Sequence, residues 1–532
     1  MKKNAARILA MVLCLCMVLS ACSKTGGKES QQPSNNPGTV SRAPDESKQP
    51  TEKAHPVLRL PALGDATQLD PHVSNGAEYN LLGSLYDGLV RFDGSNQMAV
   101  VPDLAESWDI SDDQLTYTFH IRENAKFSDG TPFTAEDAAF SVKRMQTLPA
   151  TSSKVLMIKD AEAIDEHTLN IYCNWAYPNL ILQMASWPWR MVSKAAVEKY
   201  GDGTPEMVLG TGPYKLESWV TGVGVTLVRN EYYWGKTPYF DKIETKVIPD
   251  MSTQLVALEN GEVDAVQIVN GLDLDYYSKL DGYRVEQIHR PGAYSVMFNV
   301  GGSESLSKLE VRQAFNYAIN REELCALVYD NMADPNTYSV IREGDTGFTN
   351  DLPHYDYNVE TAKQLLADAG YAKGVTIGFT YPTTTVGERL AAALKDMLAP
   401  VGINLDLVPM EASAYQAAVF MGNYETCYVE FQSVPYNPPL VYNLYFITGG
   451  SLAYCHTTDE YIDTKAAEAA RTLDDDARNA MYLDLNTHIR EQAYYAVIGG
   501  METYMVYPSG IHGEEYEPNT MLTKYMDWYW EE

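Results

Sequence analysis

Positive charge is scarce in this chain. Its 532 residues carry 40 Lys and Arg against 71 Asp and Glu, a formal charge of −31. That surplus repels nucleic-acid phosphates, and no basic stripe overrides it. Nor does it favour an anionic membrane surface. Cysteine is sparse too: seven are too few for a disulfide scaffold in a body this large. No Cys-x-x-Cys pair occurs, and the nine His are scattered, so nothing marks a zinc or nickel site and no metal or other cofactor is expected. A Gly-x-Ser-x-Gly elbow is missing, and no Cys/His arrangement suggests a nucleophile. The many acids leave a carboxylate pair open. Beyond the N-terminus no apolar run is long enough to span a bilayer, which excludes a channel. What is present is ordinary globular composition, 45% apolar and 21% charged. The length suits roughly three or four domains or one multi-lobed body.

The N-terminus differs from the rest. Lys2, Lys3 and Arg7 precede a short apolar run from Ile8 to Leu19, the pattern of a secretory signal. It closes with Leu19-Ser20-Ala21-Cys22, which resembles the lipobox of bacterial lipoproteins. The resemblance implies cleavage after residue 21 and a diacylglycerol on the Cys22 sulfur. Ser23 to His55 is rich in Ser, Pro, Gln, Asn and Gly, and cannot bury enough apolar surface to order itself. As a coil it would reach on the order of 30 Å. The expected location is therefore extracytoplasmic, lipid-anchored to the cell membrane: on the outer face of a plasma membrane, or in the periplasm of a two-membrane envelope. Four cysteines follow: Cys173, Cys325, Cys427 and Cys455. A disulfide between Cys427 and Cys455 is conceivable, and buried thiols are the alternative.

The body alternates strand-like and helix-like segments. Leu115 to Ile121 alternates as a half-buried strand does. Ser128-Asp129-Gly130-Thr131-Pro132 is turn chemistry, and Thr134 with Asp137 opens a helix that Phe133 staples against Ala138. Leu255 and Leu258 begin a short helix that Gly261 ends, with a strand expected over Val263 to Val269. Val311, Ala314, Phe315, Ala318 and Ile319 form one buried stripe, and Asn320 with Glu323 opens the next helix. Thr361 to Ala369 is helical with Gly370 as its stop. Leu390 to Val401 is helical up to Gly402, and Ile403, Leu405 and Leu407 then alternate as a strand. The sum is a large mixed α/β protein with more than one sheet.

Several blocks, in order, resemble extracellular solute-binding protein family 5, the oligopeptide-, dipeptide- and nickel-binding receptors of ABC importers. They begin with Leu69-Asp70-Pro71-His72, Leu85-Tyr86-Asp87-Gly88-Leu89-Val90 and Val101-Pro102-Asp103-Leu104-Ala105-Glu106-Ser107-Trp108. Tyr117 to Arg122 and Lys126 to Asp137 follow. Gly210-Thr211-Gly212-Pro213-Tyr214, Asn230 to Trp234, Phe298-Asn299 and Val311-Arg312-Gln313-Ala314 complete the set. The resemblance spans about residues 57 to 525 and implies an α/β, two-lobed periplasmic-binding-protein-like fold (class II, cluster C) with a hinge. Behind the signal (1–21) and the lipidated tether (22–55), it implies domain I in three parts (56–85, 206–296 and 505–532). Domain II would be 86–205 and domain III 297–504, with crossover strands near 297 and 504. Gly210-Thr211-Gly212-Pro213 lacks the Walker Lys and the Rossmann spacing, so it reads as a structural corner. Arg312 reads as a residue of a packed helix held in an ion pair.

The family's peptide binders carry a Gly-Trp block followed by an Asp that pairs with the peptide's α-amino group. A buried ammonium needs such a counter-charge. Here Phe431 falls at the Trp position and Val434 at the Asp position, and Glu430 replaces a small residue. Glu430 is either a displaced counter-charge or a solvated surface acid. The expected ligand contacts are Asn75 and Gly76 from one lobe and Tyr428, Glu430, Phe431, Gln432 and Ser433 from the other. No catalytic residue is expected. The reading is a monomeric, lipid-anchored receptor that captures short peptides and delivers them to the transmembrane subunits of an ABC permease. The alternatives are a non-peptide solute (an oligosaccharide, an opine or a metal chelate) and, remotely, an extracytoplasmic hydrolase.

Overall fold

The structure, a computed structural model, describes residues 57–74, 79–93, 96–342, 345–432, 438–450, 455–514, 516 and 523–531. The signal, Cys22, the tether, Asn75, Gly76, Ser433 and Val434 lie outside the described residues. No described helix is long and apolar enough to cross a membrane.

Three sheets of four or more strands organise the described residues. The first runs Val57–Ala62, Lys242–Val247, Gly224–Arg229, Tyr214–Val220. Its parallel first pair brings together segments far apart in sequence. Leu58, Tyr214, Leu227 and Ile243 pack beneath it with Tyr507, Ile511 and Trp528 from the end of the chain.

The second sheet is antiparallel, ordered Ala105–Ile110, Thr116–Ile121, Thr168–Cys173, Ile158–Ala163. Tyr117, Phe119 and Ile121 point inward, as their alternation requires. The helix Ala135–Thr147 covers that face. Its start is as expected: the Asp137 carboxylate accepts from Thr134 N at 3.2 Å and from Thr134 Oγ1 at 3.0 Å, with Phe133 and Ala138 both buried.

The third sheet has six strands: β1 (Val266–Ile268), β2 (Tyr283–Phe298), β3 (Val375–Pro382), β4 (Ile403–Met410), β5 (Thr426–Phe431) and β6 (Tyr495–Pro508). They lie in the order β1-β6-β2-β5-β3-β4, with β3 parallel to β4 and β5 and the rest antiparallel. Helices Leu309–Tyr317, Arg321–Tyr329, Val359–Asp368 and Thr385–Leu398 pack on one face. On the other face the core includes Tyr442, Tyr482, Leu485 and Ile489. Asn320 separates the first two helices and caps the second, its Oδ1 accepting from Glu323 N at 3.3 Å.

Two expectations need correction. The strand after Gly261 is Val266–Ile268, shorter than Val263 to Val269. Asp264 turns away to the first sheet instead, donating to Arg59 O at 2.8 Å and accepting from Arg59 N at 2.7 Å. Arg312 is buried in its helix, but its partners are the carbonyls of Gln492, Leu306 and Ser307 rather than a carboxylate. A guanidinium has five donors in a planar fork, so carbonyls can satisfy it where no acid is within reach.

Candidate functional site

The end of β5 is where most of the described candidates meet. Strand alternation divides them. Cys427, Val429 and Phe431 point into one core, while Tyr428 points into the other and Glu430 opens to solvent on that same side. Phe431 is 1% exposed. Its ring is enclosed by Tyr445, Phe446 and Tyr495 at centroid distances of 4.6, 5.9 and 5.5 Å. The side chain thus anchors the strand and presents no open face. Gln432 is exposed just beyond, and its backbone hydrogen-bonds the Tyr445 hydroxyl. Cys427 and Cys455 are both free and buried, the thiol alternative.

Glu430 is the exposed carboxylate of the group. Tyr428 Oη donates to Glu430 Oε1 at 3.0 Å, and Tyr329 Oη donates to Tyr428 Oη at 3.3 Å. The Tyr294 ring stacks on Tyr329 with centroids 4.2 Å apart, and Tyr294 is the cross-strand partner of Glu430. Burial, with the Glu430 charge adding to it, pushes the Tyr294 hydroxyl up to about 12, and Tyr329 and Tyr428 are raised well above the usual phenol range for the same main reason. All three phenols stay neutral donors at physiological pH. A carboxylate oriented by a phenol chain beside stacked tyrosine rings suits a cationic group of a bound molecule. Tyr294 and Tyr329 escape sequence reasoning, because they lie 136 and 101 residues from Glu430 among 37 tyrosines.

The family-like sequence blocks mostly gather elsewhere. Asp87, Asp103, Arg190, Pro213 and Trp234 line a cavity of about 290 Å³. Trp234 Nε1 donates to Asp87 Oδ2 at 3.1 Å, and Gly88 N donates to Asp103 Oδ2 at 3.1 Å. Burial and the Asp103 charge hold the Asp87 carboxyl up to about 7; Asp103 is raised too, mainly by burial. Gly210 is a structural corner: a Cβ there would lie 1.9 Å from Leu85 O. Among the described residues, no group of three or more His, Cys, Asp or Glu is placed to hold a metal ion.

Comparison with known proteins places this architecture. The family described as bacterial extracellular solute-binding proteins, family 5, middle region, matches residues 99–452. The nickel-binding periplasmic protein of Escherichia coli K12 is 27% identical over 488 residues, covering 85% of this chain and 90% of that protein. The periplasmic oligopeptide-binding protein OppA of the same strain is 26% identical over 475 residues, covering 81% and 86%. Among solved structures, NikA from Brucella suis in complex with Fe(III)-EDTA superposes with a TM-score of 0.81 at 22% identity, over 90% of this chain and all of that one. CtaP from Listeria monocytogenes gives 0.80 at 23%, over 90% of this chain. Both confirm a two-lobed binding-protein fold. The relatives are solute-binding proteins rather than enzymes, and they work in the periplasm or otherwise outside the cytoplasm. With two thirds of its length matched by the family and a fold shared over 90% of it, the chain belongs to extracellular solute-binding protein family 5 and is the substrate-binding protein of an ABC importer.

Proposed function

We propose that the chain is a lipid-anchored receptor for short peptides, and that Glu430 takes the peptide's α-amino group. The observation that carries this is the exposed Glu430 carboxylate, oriented by Tyr428 and flanked by the stacked Tyr294 and Tyr329 rings. It supplies a negative charge close in sequence to Val434, where the resemblance expects an acid. Domain III contributes this strand, and Asn75 and Gly76 meet the peptide backbone from the opposite lobe in strand-like fashion. Cys22 carries the lipid, which keeps the receptor beside its permease.

A peptide pool is expected to raise the melting temperature of the full chain. Glu430→Gln should weaken binding of a responding peptide about tenfold or more, as loss of a charge-assisted contact does. Blocking that peptide's N-terminus by acetylation should cost the unmodified chain about as much. No shift with any peptide would sink the peptide reading. The second reading, a non-peptide solute, is favoured by the 27% identity to a nickel-binding protein over 85% of this chain. Native mass spectrometry of freshly purified protein separates the two by the mass that co-purifies.

A further inference from the structure

The long strands β2 and β6 pass from one core to a region with a core on each face. Val285, Tyr504 and Val506 lie in or against the cluster built around Leu258, Val266 and Tyr277. Farther along, Val296, Phe298, Ala496 and Ile498 belong to the core under the helices of the third sheet, and Ala293, Met297, Tyr495 and Val497 to the core on its other face. Between these sets the register of β2 against β6 shifts, from His289 opposite Glu502 to Ala293 opposite Gly500. The extra residues form a bulge, the local irregularity at which paired strands bend most readily.

One side chain spans that bulge. Arg342 Nη1 donates to Arg290 O at 2.6 Å on β2 and to Met501 O at 2.8 Å on β6. Arg342 Nη2 donates to Glu502 Oε1 at 2.8 Å, and the Glu502 side chain is 0% exposed. His289 Nδ1 lies 2.8 Å from the other Glu502 oxygen, and Asp334 Oδ2 lies 3.6 Å from Arg342 Nη2. The segment that carries Arg342 is fastened at the same level: Asp334 and Gly500 exchange backbone hydrogen bonds of 3.1 and 2.8 Å. Arg342 also borders a cavity of about 200 Å³ with Thr337, Tyr338 and His354. The guanidinium therefore ties both strands and a buried carboxylate together at the place where the first core gives way to the other two.

We propose that Arg342 and Glu502 are positioning residues for solute capture. They touch no solute. They fix the bend of β2 and β6 at 289–293 and 500–502, and that bend is where the two lobes flex. With the clamp in place the solute-free lobes keep a narrow range of angles, so closing on a solute loses little conformational freedom. Without it the range widens and affinity falls, although every solute contact is intact.

The test measures distances in the solute-free protein, so it does not depend on which solute binds. Spin labels are placed on Cys residues introduced at the exposed Lys236 and Lys373, with Cys14, Cys16 and Cys22 changed to Ser; the other four cysteines are buried. Pulsed electron resonance should give one narrow distance distribution for the parent chain. The paired variant Arg342→Met/Glu502→Gln leaves no unpaired buried charge, and its distribution should broaden clearly. Arg342→Lys keeps the ion pair but cannot reach both carbonyls, and should give intermediate width. Trialanine, the probe for affinity, should bind the paired variant about tenfold more weakly than the parent. Unchanged widths in both variants, with only a lower melting temperature, would show the clamp to be structural alone and overturn the proposal. If trialanine fails to bind the parent, the peptide reading suffers while the distance result still decides this one.

Discussion

Gly292→Ala is expected to disrupt the junction of β2 with β5 and lower the stability of the chain by about 4 kcal/mol or more. Two effects add. Gly292 has φ +113°, a conformation that costs an L-residue on the order of 1–3 kcal/mol. A Cβ there would also lie 1.9 Å from Phe431 O and 3.0 Å from Gln432 Cα. Both atoms are backbone, so no side-chain rotation relieves the clash. Phe431 cannot retreat, because its ring is held by Tyr445, Phe446 and Tyr495. The strain falls on the strand that carries Glu430, so under the proposed role of Glu430 solute binding should be lost together with stability. For a lobe of this size the melting temperature should fall by roughly 10 °C. Gly64→Ala is the control, since a Cβ at Gly64 meets nothing within 4 Å. A Gly292→Ala chain that melts with the control and still binds would show that the close approach of β2 to β5 is not required.

Local patterns in the sequence carry much of this fold. Thr134 with Asp137, and Asn320 with Glu323, mark helix starts by side-chain chemistry that acts within one turn. Alternation marks Thr116–Ile121 and β4 for the same local reason. Partnerships across the chain are not legible in this way. Arg312 reads as ion-paired in a packed helix, yet its acceptors are carbonyls, among them that of Gln492, 180 residues away. The same holds at the site. Glu430 stands out as a departure from the family block, but Tyr294 and Tyr329 reach it only through β2 and the helix Arg321–Tyr329. Strict alternation along β5 also separates Phe431 from Glu430. Residues 427, 429 and 431 share a face, which puts Phe431 with the buried thiol of Cys427. The block Leu69-Asp70-Pro71-His72 is legible as a motif and silent as to purpose, because Arg144 and Arg190, the partners of Asp70 and His72, lie more than seventy residues on.

Those partners make Arg144→Met the other change with a large expected effect. Arg144 Nη1 donates to Asp70 Oδ1 at 3.0 Å and Nη2 lies 2.5 Å from Asp70 Oδ2, while Asp202 Oδ1 accepts from Nε at 3.1 Å. Arg144 Nη1 also meets His72 Nδ1 at 2.8 Å, and His72 Nε2 donates to Arg190 O at 2.9 Å. With Nδ1 accepting and Nε2 donating, the ring is neutral. Burial, then the Arg144 charge, hold the His72 pKa down to about 4. Burial pushes the Asp70 carboxyl up, but the Arg144 hydrogen bonds and charge outweigh it and leave Asp70 below its usual value. In the unfolded chain His72 binds its proton near pH 6.5, before the folded ring does, so acid favours unfolding. The His72 contribution is complete above pH 6.5 and lost as pH falls to about 4, a total of about 3 kcal/mol. Arg144→Met leaves Asp70, 1% exposed, without its cation and should cost about 3–5 kcal/mol at pH 7.5. It also removes the charge that opposes protonation of His72, whose imidazolium then becomes the natural partner of Asp70. The deficit of the variant should therefore shrink between pH 6.5 and 5, while the parent chain loses stability over the same interval. Urea midpoints at pH 7.5 and 5 measure both trends, and parallel pH curves for the two chains would rule out this coupling of His72 to Arg144.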